Sequence, residues 1–329
     1  MIHEGRPTYD EQRLLNILTK LTSSLGTVGA LWLIIDVLTC KDKRKRSKER
    51  LLFAVSVTDL IQSVCLFVGT WAMPAESQIY GAFGNITTCN IQGFLLTFSN
   101  VCTSLYSACF GICFLLLAKS QRDASLEVEK FIHVFNISFS LIGSIAGLLQ
   151  KKYNPTLVSC LLGKWPPGCS GDECVRGGGS IYMIVLFVGL PIIISYLLYC
   201  PALMMIYCDI SKKLTVRISH DEVRLSVLKT IQIQALLYLG AFYVTLTFPI
   251  INRALYQASV QIPTVTAILA ATFHPMKGFF NALIYKQGEV IRFWKQFKLQ
   301  SKSNEVARAP VIVESSFVDN SNMMEESST

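Results

Sequence analysis

The sequence predicts an all-α fold, a seven-transmembrane helix bundle followed by a short amphipathic helix on the membrane surface. Three observations predict it. The 329 residues are 51% hydrophobic and only 16% charged, against roughly 45–50% and about 25% in soluble domains, and the mean hydropathy is +0.44. The chain lacks the charge to clothe a soluble core, which argues against a soluble enzyme, a disordered chain or a disulfide-dense secreted scaffold. Seven stretches reach the roughly 20 apolar residues that cross a bilayer core about 30 Å thick. Finally, the basic residues are concentrated on alternate connections between those stretches.

The spans are expected at residues 14–38, 51–73, 90–118, 131–150, 181–208, 230–252 and 262–285. The first is bounded by Lys20 and Asp36, and the second is interrupted only by Asp59. The third is uncharged and long enough to cross with a tilt. The fifth contains Pro191 and Pro201, which membrane helices tolerate better than soluble ones. The last contains His274, Pro275 and Lys277. This divides the chain into an extracellular N-terminus (1–13), one membrane domain (14–285), an amphipathic helix (286–300) and a polar tail (301–329). In the amphipathic segment Val290, Ile291, Phe293, Trp294 and Phe297 share a face, flanked by Arg292, Lys295 and Lys298, the pattern of a basic helix on an inner leaflet. The tail is polar and Ser-rich and reads as disordered.

An odd number of spans puts the termini on opposite sides, and Lys and Arg choose the orientation. The first, third and fifth connections carry seven, three and five basic residues and the tail six, so 21 of the 30 lie on one side and seven on the other. The N-terminus is therefore expected outside and the C-terminus in the cytosol, with the first span an uncleaved signal anchor. The net charge of +8 belongs to a cytosolic membrane face, with lipid headgroups and a signalling protein as its counterparts, and nucleic acid drops out as a partner.

Of 11 cysteines, Cys89, Cys160, Cys169 and Cys174 fall on the expected outside, where disulfides persist. Four cysteines allow three pairings; Cys89 with Cys160 and Cys169 with Cys174 are the expected ones. Asn85-Ile86-Thr87 is a glycosylation sequon on the same side, whereas Asn136-Ile137-Ser138 lies within a span.

Ionisable groups inside spans face the bundle or one another. Asp59 and Lys277 each lie nine residues from a cytosolic boundary, roughly 13 Å deep at 1.5 Å per residue. They are expected to pair, separate water and backbone partners being the alternative. His274, Lys277, Asn281 and Tyr285 follow at helical steps, one face pointing inward. The third span carries Thr97, Asn100, Ser104, Ser107 and Gly111 as a stripe of small and polar groups, which reads first as close packing. The sixth carries Gln234, Tyr238, Ala241, Thr245 and Asn252, with Pro249 as a hinge. Asn100, Thr245 and Asn252 lie far enough out to line a pocket open to an extracellular ligand.

Taken together the chain resembles a seven-helix G-protein-coupled receptor from about residue 14 to residue 297. Residues 51–60, LLFAVSVTDL, resemble the second-helix signature that carries an acidic residue. Residues 89–94, CNIQGF, resemble the start of the third helix in the cyclic-AMP-receptor-like branch and in orphan receptors of unicellular eukaryotes, and residues 234–242 resemble the sixth helix of those orphans. Residues 276–285, MKGFFNALIY, are similar to the seventh helix of the cyclic-AMP-receptor-like and secretin-like branches. The departures are from the rhodopsin-like class: Ala118-Lys119-Ser120 stands where an acidic-Arg-aromatic triplet would end the third helix, and the Asn-Pro-x-x-Tyr motif is missing. The resemblance implies coupling to a heterotrimeric G protein through residues 119–130 and 209–229.

Three rivals weigh less. A retinal protein is suggested by Lys277, but opsins keep their lysine ten residues before the terminal tyrosine, which here is Pro275, and no carboxylate lies in the third span. A transporter or channel would show internal repeats, and none is found. An enzyme would need a metal-ligand spacing or a nucleophile and base, and neither stands among the inner residues. No cofactor is expected. The ligand is unknown; few charges in the outer halves of the spans argue against a highly charged one such as cyclic AMP.

Overall fold

The computed structural model describes residues 7–120, 126–166, 169, 174–195, 197, 204–205, 208, 222–258 and 260–287. The expected amphipathic helix and tail lie outside them from residue 288 onward. The first span is the helix Tyr9–Thr39. It starts five residues before the apolar stretch because Thr8 and Glu11 form a capping box, Glu11 N donating to Thr8 Oγ1 (3.4 Å) and Thr8 N to Glu11 Oε2 (2.8 Å). The second span is Ser47–Val68, ending in a 3-10 turn at Gly69–Ala72. The third is Ile86–Ser120 and the fourth Leu126–Leu149. The fifth begins as Ser180–Ile184 and passes into a π-helical turn at Val185–Gly189. The sixth is Glu222–Gln257. The seventh is broken into Thr264–Phe273 and Lys277–Tyr285. Among the described residues five helices are long and apolar enough to cross a membrane, and Ile181–Ser195 and Thr264–Phe273 are shorter apolar helices.

The first span shows why this is a membrane bundle. Leu14, Ile17, Leu21, Leu25, Val28 and Trp32 recur every three or four residues and are exposed, while Asn16, Thr19, Thr22 and Ser23 are buried. Apolar side chains outside and polar ones inside invert the soluble pattern, as a hydrocarbon solvent requires. Ridges of small residues then bring helices together. A Cβ on Gly26 would strike the Pro275 carbonyl oxygen, and one on Gly29 would strike Phe279 Cα. The first and seventh spans therefore touch backbone to backbone.

Pro275 breaks the seventh span by removing the amide that would bond to the Ala271 carbonyl. Thr22 Oγ1 donates to that carbonyl instead (2.8 Å), and Ser63 Oγ donates to the Pro275 carbonyl (3.3 Å). The kink is thus repaired by hydroxyls of the first and second spans. Pro249 does not break the sixth span: its helix continues past the expected end at residue 252 to Gln257. Arg253, Ala254, Leu255 and Gln257 are good helix formers, so Arg253 belongs to the helix and not to a loop.

Between the fourth and fifth spans lies a hairpin, β1 (Tyr153–Pro155) paired antiparallel to β2 (Cys160–Leu162) with Tyr153 opposite Leu162. Cys89, Gln92 and Gly93 share one face of the third span, and each holds the hairpin differently. Cys89 is bonded to Cys160. Gln92 Nε2 donates to the carbonyls of Cys65 (2.9 Å) and Gly69 (2.8 Å), while its Oε1 accepts from Cys160 N (2.8 Å). A Cβ on Gly93 would strike the fully buried Tyr153 ring at 2.6 Å. Cys169–Cys174 closes a second, smaller loop, next to the bridge between Trp165 and Arg176.

The glycine contacts give a direct test. Gly29→Ala forces backbone apart and should destabilise the bundle by about 1–3 kcal/mol, seen as a lower thermal midpoint of the purified chain. At Gly240 no atom lies within 4 Å of the added Cβ, so Gly240→Ala should leave the midpoint unchanged or raise it by up to about 1 kcal/mol of helix propensity.

Candidate functional site

The buried polar side chains converge where the second, third and seventh spans meet. Asp59 is 1% exposed and Lys277 4%, so both need partners within the bundle. Asp59 Oδ2 accepts from Asn281 Nδ2 (2.7 Å) and its Oδ1 from Thr103 Oγ1 (3.4 Å). Lys277 Nζ donates to Gln62 Oε1 (3.4 Å). The expected direct pairing of Asp59 with Lys277 is therefore replaced by two separate contacts, each one helical turn apart along the same pair of helices. Tyr285 does not join this core. Two turns beyond Lys277, it lies at the end of the bundle away from the disulfides, where it packs against the apolar cluster that includes Leu33, Leu51 and Leu52, with Lys43 Nζ 5.4 Å from its ring centroid.

His274 extends the network toward the hairpin. Its Nε2 lies 2.8 Å from Gln62 Nε2 and 3.3 Å from Asn100 Oδ1. Lys277 fixes the Gln62 amide with its NH2 toward His274. One ring nitrogen thus faces a donor and an acceptor and can serve one at a time: unprotonated it accepts from Gln62, protonated it donates to Asn100. Asn100 Nδ2 donates to the Leu96 carbonyl (2.8 Å), Ser104 Oγ to the Asn100 carbonyl (2.9 Å), and Ser195 Oγ to the Ser104 carbonyl. A continuous polar path so joins the fifth, third, seventh and second spans.

Two cavities flank this path. Asn100, Ser104 and His274 line one of about 660 Å³ between the hairpin and the third, fifth and sixth spans, within the size range of ligand pockets. Its wall is largely apolar, with Ile184 and Val188 at the π-helical turn, the kind of irregularity that recurs at functional sites. On the far side of His274, Thr103, Lys277 and Asn281 line a cavity of about 40 Å³. A third, of about 140 Å³, shares Arg253 and His274 with the large one.

The three residues expected to line a ligand pocket separate. Asn100 lines the large cavity and Asn252 the 140 Å³ one, where its Nδ2 donates to the Thr266 carbonyl (3.1 Å). Thr245 lines neither; it is fully buried, and its hydroxyl donates to the Phe242 carbonyl (3.1 Å). The residues missed are Arg253 and Gln257, whose signal was present as a four-residue spacing from Pro249 along one helix face. Asn85 sits at the start of the third span, its Oδ1 accepting from Thr87 N and Thr88 N (2.9 and 3.0 Å).

No known family model matches the sequence, and neither does any curated protein. The structure is similar to the crystal structure of squid rhodopsin, with a TM-score of 0.64 over 86% of this chain and 83% of that one, at 13% identity. The fold is the seven-helix membrane bundle of that rhodopsin. The chain is thus an integral, multi-pass membrane protein.

The contacts of Asp59 predict which mutations couple. In double-mutant cycles on thermal stability, Asp59→Asn and Asn281→Asp should each destabilise, and the swapped pair should recover about 1 kcal/mol or more relative to additivity. Asp59→Asn with Lys277→Met should show the smaller coupling.

Proposed function

We propose that this chain is a G-protein-coupled receptor of the plasma membrane, which admits an extracellular ligand to the 660 Å³ cavity and signals to a heterotrimeric G protein on the cytosolic face. The observation that carries the reading is the polar path: Asn100 and His274 line the cavity, and through Gln62 the path ends at Lys277, whose charge acts on Asp59 in the separate Asp59–Asn281 pair one turn away. A group in the cavity that engages Asn100 or His274 changes which partner the His274 nitrogen serves. That gives a ligand unequal affinity for two arrangements of the seventh span, which is what shifting a population requires. The kink at Pro275, held by side-chain hydroxyls, is where that span bends.

The orientation rests on two supports. Disulfides persist outside the cell, and both lie at the cavity end; the basic first connection, Lys41 to Arg50, lies at the other end, and the sequence puts 21 of its 30 basic residues on that set of connections. Residues 119–130 and 209–229 form the G-protein contact, with the amphipathic helix 286–300 on the inner leaflet. Asn85, exposed at the cavity end, carries a glycan, while its Oδ1 caps the third span. The resemblance of residues 89–94 and 276–285 favours the cyclic-AMP-receptor-like and secretin-like branches. A covalent retinal is disfavoured because Lys277 lines the 40 Å³ cavity and bonds Gln62.

A G-protein dissociation reporter in cells with verified surface expression tests the reading. Ligand-free or ligand-driven dissociation of at least one G-protein class is expected, and His274→Phe should change it by about fivefold or more, the scale of a 1 kcal/mol coupling. Silence across all classes and a broad ligand set would contradict it.

A further inference from the structure

The large cavity has one strongly polar corner. Arg253 and Gln257, one turn apart at the disulfide end of the sixth span, both line it. Among the described residues the Arg253 guanidinium rests on the Tyr256 ring, 5.6 Å from the centroid, and no carboxylate reaches it. No Asp or Glu lines this cavity or its 140 Å³ neighbour. Both amide atoms of Gln257, Nε2 and Oε1, are buried with no hydrogen-bond partner. A cation with five donors and an unpaired amide, both held in a low-dielectric bundle, are costly unless something binds there to satisfy them.

Apart from Thr97, Asn100, Ser104 and His274, the rest of the wall is apolar, and part of it opens sideways. Ile181 and Ile193 of the fifth span and Ile250 of the sixth line the cavity yet are exposed on the outside of the helices. Among the described residues the fifth-span segment Ser180–Gly189 packs on the third span and the hairpin, and the sixth span packs on the seventh and the third. The exposed lining residues on both the fifth and sixth spans place an apolar entrance between them at the level of lipid chains. An entrant must have an apolar body and one acceptor-rich, negatively charged end.

We propose that the cavity binds a single-chain anionic amphiphile, its carboxylate or phosphate monoester held by Arg253 and Gln257 and its hydrocarbon chain lying against Ile184, Val188 and Ile250. This deepens the receptor reading and rests on it only for the consequence of binding. The guanidinium takes a planar carboxylate or phosphate through paired N–H donors, and Gln257 Nε2 adds a third. One charge at the outer end of an otherwise apolar pocket also separates this ligand from a multiply charged nucleotide.

The test uses the full chain in phosphatidylcholine nanodiscs, which carry no net charge, titrated with dodecanoate, dodecyl phosphate, dodecanol and dodecyltrimethylammonium, with thermal stabilisation as the readout. At least one anion should half-saturate at about tenfold lower concentration than dodecanol, the scale of a hydrogen bond to a charged group; which anion does so separates the carboxylate from the phosphate source. Arg253→Gln should abolish that preference and Arg253→Lys should keep part of it. Should Arg253→Gln fail to fold, Gln257→Leu is the second variant, expected to weaken the anions about threefold and leave dodecanol unchanged. Equal binding of all four compounds, or an anion preference that survives the variants, overturns the proposal. Binding with the expected preference but no G-protein exchange overturns the receptor reading alone; exchange without anion preference overturns this inference alone.

Discussion

A carboxylate carried to the middle of a bilayer-spanning bundle must find its hydrogen-bond donors on neighbouring helices, and Asp59 finds them on the third span at Thr103 and on the seventh at Asn281. That requirement fixes the depth and rotation of three helices against one another. Gln62, one turn farther along, repeats the arrangement with Lys277 and His274. The seventh span carries His274 and Lys277 on either side of the break at Pro275, and the break is tolerable because hydroxyls of Thr22 and Ser63 satisfy carbonyls beside it. Gly26 and Gly29 then allow the first span close enough for Thr22 to reach.

The other end of the bundle is organised by the hairpin. Gln92 ties the carbonyls of the second span to the strand that carries Cys160, and the Cys89–Cys160 bond makes the attachment covalent. Leu161 and Leu162 of that strand line the large cavity. The cavity therefore has a rigid side, made by the hairpin and the third span, and a side built from the π-turned fifth span and the proline-containing sixth. His274 stands between this cavity and the buried core, which gives the receptor reading its physical basis: occupancy and core share one nitrogen.

Much of this was legible in the sequence. Apolar length located the spans. The depth argument for Asp59 and Lys277 was right to within a helical turn, but depth does not specify azimuth; Asn281 and Gln62, each on the correct face and with shorter reach, take the contacts. Tyr285 shares the face of Lys277 but lies two turns on, so a shared face did not mean a shared site. Thr245 has the depth of a pocket residue and turns its hydroxyl to its own helix backbone. Arg253 was hidden because a charge ending an apolar stretch reads as a loop, while the helix formers after it carry the helix another turn. The Thr22 contact with the Ala271 carbonyl joins residues far apart in the chain and follows from packing alone.

The central claim is that the state of His274 at the cavity wall and the state of Asp59 in the core are energetically linked. The most direct measurement is a double-mutant cycle of His274→Phe and Asp59→Asn on ligand-free G-protein nucleotide exchange by the full chain in nanodiscs. The account predicts that the two effects fail to add by about 1 kcal/mol or more, since the hydrogen bonds from His274 through Gln62 end at Lys277, whose charge acts on Asp59. Additive effects within about 0.3 kcal/mol, as for independent positions, would contradict it.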